Sequence, residues 1–421
     1  MRRGLRWLGA VCGATLIGAM ALWLQGPSDG DDAGGSAVSA PASTTLIERG
    51  AYLARAGNCM GCHTARGGTP YAGGRAVPTP FGTVYAPNIT PDPEHGLGRW
   101  SADDFWRALH QGRSRDGRLL SPAFPYSNYT LVTRADSDAL HAYLQSLPPA
   151  AQPNRPGELR FPYGTQPALA IWRALFFRPG VFTPDANQDA AWNRGAYLVQ
   201  GLGHCNACHA PRNALGATPG ATDFSGGMLD ALGWYAPSLH DPAEAGVQRW
   251  SADELRRWLK SGRTEHAAAL GPMGEVVLGS TQHLSEADLA AMGRYLQSLP
   301  LRSAARPSPP AAGLALRELG AKLYGRHCAD CHGEQGQGVP GIYPALAGNR
   351  TVTQTNPANL LRVLLQGGFA PATEAHPRPF GMPPFASELD ERELAAIASF
   401  VRNSWGQSAG DLRPQDIVRL K

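Results

Sequence analysis

Apolar residues recur at helical spacing in several short stretches of this chain, and few segments alternate as strands do. Residues 47–53 begin one predicted helix. Ser101 and Ser251 are each followed by acidic residues and then by apolar residues four apart, which predicts the N-caps of two further helices. Residues 286–299 and 388–401 show the apolar stripe of closing amphipathic helices. The pattern predicts an all-α fold.

The predicted elements recur as a long repeat. The sequence RGAYL at Arg49–Leu53 occurs again at Arg194–Leu198, and a looser copy lies at Leu319–Tyr324. Further along, RWSAD occurs at both 99–103 and 249–253. Solenoid repeats have periods of about 20–50 residues, well below this spacing. The repeat therefore indicates tandem copies of a small domain.

The repeats and the composition between them divide the chain. Three domains are predicted, at 45–148, 189–300 and 313–406, after an N-terminal segment (1–26) and a linker rich in small residues (27–44). The remaining segments are an interdomain stretch at 149–188, a Pro-rich linker at 301–312 and a tail at 407–421. An apolar run at 168–177 predicts a helix across an interdomain surface. With 50 glycines and 36 prolines in 421 residues, the loops are predicted to surround a bound group.

Each predicted domain carries one copy of the pattern Cys-x-x-Cys-His, and the copies contain all but one of the cysteines. Two cysteines three apart on a helical turn point the same way, so both thiols can form thioethers with haem vinyl groups. The next residue, histidine, can then bind the iron. Zinc would need a second ligand pair nearby, and a thioredoxin-like pair would need a strand-rich context. The pattern predicts three covalent c-type haems, attached at Cys59, Cys62 and His63, at Cys205, Cys208 and His209, and at Cys328, Cys331 and His332.

The N-terminus predicts export. Arg2, Arg3 and Arg6 precede an uncharged apolar run at 7–24, the order of an export signal whose arginines stay in the cytoplasm. A run of about 18 residues is near the lower limit for spanning a bilayer. Both a cleaved signal and a retained anchor remain open, and we favour the anchor. Either one places the rest of the chain on the periplasmic side of the cytoplasmic membrane.

Charge adds little. The formal net charge of +4 omits the haem propionates, which would cancel it. Because no basic stripe is interleaved with aromatic residues, we expect no nucleic-acid partner.

The identity of the sixth iron ligand distinguishes electron-carrying haems from haems that bind other ligands. A Met thioether raises the reduction potential and occupies the position where an external ligand would bind. Met273 and Met382 lie in Pro- and Gly-rich segments that are predicted to be loops over the open haem face. Both are predicted distal ligands. In the first domain, aligning Trp100 with Trp250 places Phe124 where Met273 stands.

The first domain has no methionine between His63 and Pro148. The candidate ligands within it are His95, His110 and His141, none of which the pattern favours. The first haem is therefore five-coordinate, bound by water, or bound by a histidine from elsewhere, and all three possibilities remain open.

Several segments together carry a resemblance to a known family. They are GAYL at 50–53, NITPD at 88–92, GPMGEVV at 271–277 with STQ at 280–282, and RNSWG at 402–406, in the frame of the three haem motifs. With them the chain resembles the triheme cytochrome c subunits of membrane-bound periplasmic dehydrogenases that oxidise alcohols, gluconate, sorbitol or aldehydes. The likeness runs from Leu46 to Gly406.

That resemblance implies an electron-transfer subunit without substrate chemistry of its own. A catalytic dehydrogenase subunit would supply the electrons, and membrane ubiquinone would receive them. The motif histidines would be proximal ligands, with Met273 and Met382 distal. The family usually has Met where Phe124 stands, and relatives with Phe there resemble subunits paired with molybdenum-containing hydroxylases. The partner's cofactor (flavin, quinone or molybdenum) stays open.

Two other function classes remain. The first is a haem enzyme, peroxidase-like or sulfur-oxidising, that uses an open first haem. Such an enzyme would normally show a distal acid–base residue, and Phe124 provides none. The second is a component of a terminal oxidase, but the rest of such an oxidase is missing from the sequence. Nothing resembles a flavin, quinone-cofactor or molybdenum site, and no Gly-x-Gly-x-x-Gly element opens a helix after a strand. These observations favour the electron-transfer subunit.

Overall fold

Two helices cross in close contact at a glycine in three places along the chain. The computed structural model describes residues 42–265, 267–303 and 313–421. A Cβ atom added to the glycine would lie 1.9–2.2 Å from a carbonyl oxygen of the second helix, in the pairs Gly50–Ala139, Gly195–Ala291 and Gly320–Ala396. Only glycine, which has no Cβ, lets the two backbones come this close. The glycine of the sequence repeat is therefore a packing residue.

Each crossing belongs to one helical unit. Unit 1 contains α1 (Thr44–Ala56), α2 (Cys59–His63), α3 (Ala102–Gln111), α4 (Tyr126–Tyr129) and α5 (Arg134–Gln145), and α6 (Gln166–Phe176) follows it. Unit 2 contains α7 (Ala190–Tyr197), a π-helical turn (Leu198–Leu202), α8 (Asn206–His209), α9 (Ala252–Ser261), α10 (Gly271–Gly279), a 3-10 turn (Thr281–His283) and α11 (Glu286–Gln297). Unit 3 contains α12 (Leu314–His327), α13 (Ala329–His332), α14 (Arg350–Thr353), α15 (Ala358–Gln366) and α16 (Glu391–Asn403), and α17 (Pro414–Val418) ends the chain.

Both serine N-caps are confirmed. The Ser101 hydroxyl accepts from the Asp104 amide at 3.1 Å, and the Asp104 carboxylate accepts from the Ser101 amide at 2.9 Å. Ser251 accepts from the Glu254 amide at 3.1 Å. A side chain that satisfies one of the free amides at a helix start fixes where the helix begins.

Short antiparallel strands modify the all-α prediction. The strands are β1 (Ala76–Thr79), β2 (Gly82–Tyr85), β3 (Glu158–Leu159), β4 (Gly227–Leu229), β5 (Trp234–Ala236), β6 (Gly368–Phe369) and β7 (Gly381–Met382). They pair as β1-β2-β3, β4-β5 and β6-β7. The fold is mostly helical, and strands of two to four residues are too short to show an alternating pattern.

Units 1 and 2 share one hydrophobic core. Leu53 and Leu140 of unit 1 belong to the same buried cluster as Leu198 and Leu289 of unit 2. Unit 3 has its own cluster, centred on residues such as Leu394. Units 1 and 2 are therefore one packed body, with unit 3 attached.

The contact between units 1 and 2 is reciprocal. The Tyr52 hydroxyl donates to Asp288 at 2.6 Å, and the Tyr197 hydroxyl donates to Asp136 at 2.7 Å. The two tyrosines occupy equivalent repeat positions, so units 1 and 2 are joined as in a two-fold symmetric dimer.

Unit 3 binds the small sheet of unit 2. The Asn359 amide side chain of α15 accepts from the Tyr235 backbone N–H at 2.9 Å and donates to the Tyr235 carbonyl at 2.8 Å. Arg350 donates to the Gly246 carbonyl at 2.8 Å, with its guanidinium 5.1 Å from the ring centre of Trp250. These polar bonds fix the position of unit 3 on unit 2.

The helix between units 1 and 2 bridges them. α6 occupies the apolar run that predicts a helix at 168–177. Its Trp172 indole donates to the Leu215 carbonyl of unit 2 at 2.9 Å, and its Gln166 accepts from the Leu119 amide of unit 1 at 2.7 Å. Ile171 and Leu175 of the same helix are exposed.

The tail packs back on unit 3. The Ser399 hydroxyl of α16 accepts from the Leu412 amide at 2.8 Å, and Ile417 of α17 is fully buried. The predicted N-terminal segment 1–26, most of the linker 27–44 and most of the linker 301–312 lie outside the described residues. Within the described ranges, no helix is both long and apolar enough to cross a bilayer.

Candidate haem sites

Each Cys-x-x-Cys-His motif forms a short helix directly after the first helix of its unit. In unit 1 a left-handed residue, Asn58 with a φ of 49°, joins α1 to the motif. In unit 2 the equivalent residue is His204, with a φ of 37°. Asparagine and histidine adopt this conformation more often than most residues. The bend turns the motif away from the axis of the preceding helix.

The histidine of each motif makes the same hydrogen bond. Its Nδ1 atom lies 2.7 to 2.9 Å from a proline carbonyl, in the pairs His63–Pro87, His209–Pro237 and His332–Pro344. A carbonyl only accepts, so Nδ1 carries the proton in each ring. Burial lowers the pKa of all three imidazoles, which keeps them neutral. Each ring therefore presents an unprotonated Nε2, the form in which histidine binds a metal.

The motif cysteines form no disulfide. Burial raises the pKa of Cys59 and Cys205 to about 12, and that of Cys328 to about 11. Each pair lies within one helical turn, beside a histidine with a free nitrogen. Two thiols and one imidazole nitrogen are the groups that covalent haem attachment requires.

A cavity of about 1660 Å³ opens beside the first motif. Its wall holds Cys59, Cys62 and His63, together with the buried apolar side chains Phe105, Leu109, Leu140 and Leu144. The residues therefore fit a covalently bound haem: paired thiols, a free imidazole nitrogen and an apolar space on one wall.

The two predicted distal methionines lie in different local structures. Met273 is the third residue of α10, which begins at Gly271 with Pro272 in its first turn. Its assignment to a loop was wrong, because proline is well tolerated at the start of a helix. Met382 lies on β7, which pairs with Gly368 of β6. Both methionines are partly buried.

Phe124 lies on the wall of the first cavity, with its ring 5.3 Å from that of Tyr129. His110 lies 3.0 Å from the Thr130 carbonyl through Nδ1, and His141 is hydrogen-bonded to a backbone carbonyl as well. Neither lines the cavity. Of the three candidate histidines of unit 1, His95 alone lies on its wall.

A fourth histidine, which the sequence does not point to, also lines this cavity. His204 of unit 2 lies edge-on to Tyr129, with the ring centres 5.6 Å apart. Burial lowers the pKa of its imidazole. Its only signal in the sequence is its position just before the second motif.

The helix that carries Met273, α10, lies against α2 of unit 1, which contains the first motif. Arg75 donates to the Gly61 carbonyl of α2 at 2.8 Å and to the Glu275 carboxylate of α10 at 2.5 Å. The Ser280 hydroxyl donates to the Ala56 carbonyl at 3.1 Å. Side chains of unit 1 therefore help to hold the helix that carries Met273.

Unit 1 likewise contacts the helix that contains the second motif. The Asn128 amide, four residues after Phe124, donates to Asn206 of α8 at 2.5 Å and to the Gln200 carbonyl at 2.6 Å. Burial raises the pKa of Cys208, with Arg212 opposing it. The second cysteines of the first two motifs, Cys62 and Cys208, both lie on the wall of the first cavity.

Comparison with known proteins agrees with this geometry. The cytochrome c family model matches residues 47–148 and 318–405. The chain is 39% identical over 404 residues to the cytochrome c subunit of a quinone-type alcohol dehydrogenase from Gluconacetobacter polyoxogenes, covering 90% of this chain and 85% of that one. It is 39% identical to the gluconate 2-dehydrogenase cytochrome c subunit of Pantoea cypripedii, covering 90% of each chain. The chain belongs to the family of dehydrogenase cytochrome c subunits.

One subunit of the nicotinate dehydrogenase of Pseudomonas putida is 44% identical over 368 residues, which are 86% of this chain and 30% of that protein.

As a family member, the chain is an electron-transfer subunit with covalently bound haem c, and substrate oxidation belongs to a different subunit. This confirms the resemblance and the non-catalytic role predicted from the sequence. The family model does not reach the second motif, but His209 makes the same proline carbonyl bond as His63 and His332.

Proposed function

We propose that this chain is a triheme cytochrome c that passes electrons from a periplasmic dehydrogenase catalytic subunit to membrane ubiquinone. One observation carries the number of haems: the histidine of every motif has the same protonated Nδ1 bond to a proline carbonyl. Three motifs with one geometry support three cytochrome c domains, at 45–148, 189–300 and 313–406, joined by the segments 149–188 and 301–312.

The side chains of the three motifs and two methionines are the proposed haem ligands. The thiols of each motif would hold the haem by two thioethers, and His63, His209 and His332 would bind the irons through Nε2. Met273 and Met382 would be the sixth ligands of the second and third haems. A bound haem supplies a reversible one-electron change at iron. The proline carbonyls fix the histidine tautomers and ring orientations, which is how an outer hydrogen bond tunes a metal ligand.

Units 1 and 2 hold their haems in one rigid body. Their shared core and reciprocal bonds keep the first two sites at a constant distance, and apolar side chains form part of the wall of the first site. Methionine ligands in the second and third sites would raise their potentials above that of the first.

The partner and the location follow from family membership and the N-terminus. The relatives are subunits of dehydrogenases for alcohol and gluconate, which supports a catalytic dehydrogenase as electron donor. The basic and then apolar segment 1–26 supports export and a position at the periplasmic face of the cytoplasmic membrane. Ubiquinone would accept the electrons there.

A second candidate is a haem enzyme that uses the first site. Phe124 in place of methionine favours an accessible iron there. Oxygen–oxygen cleavage also needs a group that moves protons, and Phe124 has none. We therefore rank this function second.

Intact mass after acid-acetone extraction, which removes non-covalent haem, tests the number of haems. The protein expressed with a haem-attachment system should carry three, and a Cys205→Ala, Cys208→Ala variant should carry two. Cys12→Ala, outside the motifs, is the matched control and should leave the haem count unchanged. Two haems or fewer in the unmodified chain would refute the triheme assignment.

Electron transfer is tested separately. The purified chain alone should oxidise no alcohol, aldehyde or sugar. A co-purified dehydrogenase with its substrate should reduce it, and a ubiquinone analogue should reoxidise it. Substrate turnover by the isolated chain would favour the haem-enzyme candidate.

A further inference from the structure

We propose that the first haem site keeps an open sixth position that binds small neutral ligands such as carbon monoxide or nitric oxide. The proposal rests on the haem attachment proposed above and concerns one site only. It follows from the side chains that line the cavity beside His63.

In the alignment of Trp100 with Trp250, Phe124 stands where unit 2 carries Met273. It lies on the wall of the cavity that also holds Cys59, Cys62 and His63. Its ring packs on Tyr129 at a centroid distance of 5.3 Å, so its side chain is fixed by aromatic contact. A phenyl ring offers no electron pair to iron.

The other side chains on the wall that could bind iron have partners or sit in another unit. Besides His63, the imidazole and thioether groups on the described wall are those of His95, His204 and Met228. The Met228 sulfur accepts from the Asn356 amide at 3.2 Å, within the contact of units 2 and 3. His204 belongs to unit 2 and lies edge-on to Tyr129 on the same wall, so one of its ring nitrogens could reach the iron. This leaves the His95 and His204 side chains as the competitors for the sixth position.

The polar groups of the wall favour neutral ligands over anions. Four arginines line the wall. Arg115, Arg118 and Arg155 are paired with Asp104, Asp116 and Glu158 at 3.5, 3.1 and 2.6 Å, and Arg212 donates to the Ala207 and Gly216 carbonyls. Tyr129 donates to the Gly57 carbonyl at 3.2 Å. Burial holds the pKa of its phenol well above the usual value, so it stays neutral.

Because these cations and this phenol are already engaged, an anionic ligand would gain little charge compensation near the iron. For the same reason peroxide would find little help for bond cleavage. Carbon monoxide and nitric oxide need neither charge compensation nor a proton, and an apolar cavity suits them.

The decisive experiment is titration of the reduced, haem-loaded protein with carbon monoxide, followed by visible absorption. We expect one carbon monoxide per chain, that is, one for every three haems. Phe124→Met should abolish this binding and add a third near-infrared thioether band in the oxidised protein. Phe124→Leu, which removes the ring without adding a ligand, should keep the binding.

Three further variants complete the test. Ile171→Met places a new thioether on a half-exposed part of the same wall and should leave binding at one per chain. His95→Ala and His204→Ala should each leave the EPR spectrum of the oxidised protein unchanged. A bis-histidine EPR signal with no carbon monoxide binding would overturn the proposal, and so would binding that persists in Phe124→Met. The haem count by mass is independent, so failure here leaves the triheme assignment standing.

Discussion

The Tyr52 hydroxyl of unit 1 donates to the Asp288 carboxylate of unit 2 at 2.6 Å. The same carboxylate accepts two bonds of 2.8 Å from Arg194 of its own unit. Asp288 therefore accepts hydrogen bonds both from Arg194 of its own unit and from Tyr52 of the other unit. Tyr197 and Asp136 repeat the relationship in the other direction, at 2.7 Å. At this surface each unit supplies a hydrogen-bond donor to an aspartate of the other unit.

The first prediction concerns this hydrogen bond. Tyr52→Phe removes the donor and leaves a buried carboxylate with one bond fewer, so the free energy of unfolding should fall by about 1–2 kcal/mol at neutral pH. Denaturant titration of the haem-loaded protein, with the midpoint compared at equal slope, measures the change. Tyr163→Phe, at an exposed position, is the control and should change the midpoint little. An unchanged midpoint for Tyr52→Phe would show that the bond contributes nothing.

A second prediction concerns acid. Burial alone would raise the pKa of Asp288, but its bonds with Arg194 and Tyr52 outweigh burial and lower it. A carboxylate with a lowered folded-state pKa stabilises the fold above its unfolded value of about 3.9, and this contribution is lost as pH falls through the folded value. Stability should therefore decrease below about pH 4.

The variant Asp288→Asn tests that assignment. It should be less stable than the unmodified protein at pH 7, and the difference should shrink as the pH is lowered below about 4. Glu158→Gln, a change in an exposed pair, is the control. A difference that stays constant between pH 7 and pH 3 would show that Asp288 does not contribute to the acid sensitivity.

The third prediction uses two glycines of one helix. A Cβ on Gly320 would lie 2.2 Å from the Ala396 carbonyl, whereas one on Gly325 would meet no atom within 4 Å. Gly320→Ala should therefore destabilise unit 3 by about 1–3 kcal/mol or more, because the crossing helices must separate. Gly325→Ala should stabilise it by up to about 1 kcal/mol, as alanine favours a helix interior. Equal effects of the two substitutions in thermal unfolding would contradict the crossing at Gly320.

The helices and their serine caps could be predicted because each has a local signal, such as Ser101 with the acidic partner that follows it. The motif cysteines have a fixed spacing, and haem attachment at them stays a prediction. Contacts between units have no such signal. Tyr52 and Tyr197 look like ordinary helix residues, and only the fold shows that each bonds an aspartate of the other unit. His204 is hidden in the same way, since it lies in one unit and lines the cavity of another.

A fourth prediction concerns Arg75, which joins α2 to the helix of Met273. Arg75→Gln removes the bond to Glu275 and should loosen α10, because that bond links the two sites across the units. We expect a weaker near-infrared thioether band and a lower potential for one haem, with Arg75→Lys restoring part of both. Arg155→Gln, which breaks an exposed pair with Glu158, is the control. If Arg75→Gln and Arg155→Gln change the near-infrared band equally, the bond between Arg75 and Glu275 has no specific effect on the second site.

The last prediction concerns Met382, the proposed sixth ligand of the third haem. Met382→Leu conserves volume, so folding of the partly buried β7 should be little affected. Loss of the thioether should lower one reduction potential, because methionine ligation favours ferrous iron. It should also open that iron, so the reduced variant should bind one carbon monoxide more than the unmodified protein. Met228→Leu removes a methionine whose sulfur contacts Asn356 and should change neither quantity. If Met382→Leu alters neither the potentials nor the amount of carbon monoxide bound, Met382 is a packing residue and the third iron has a different sixth ligand.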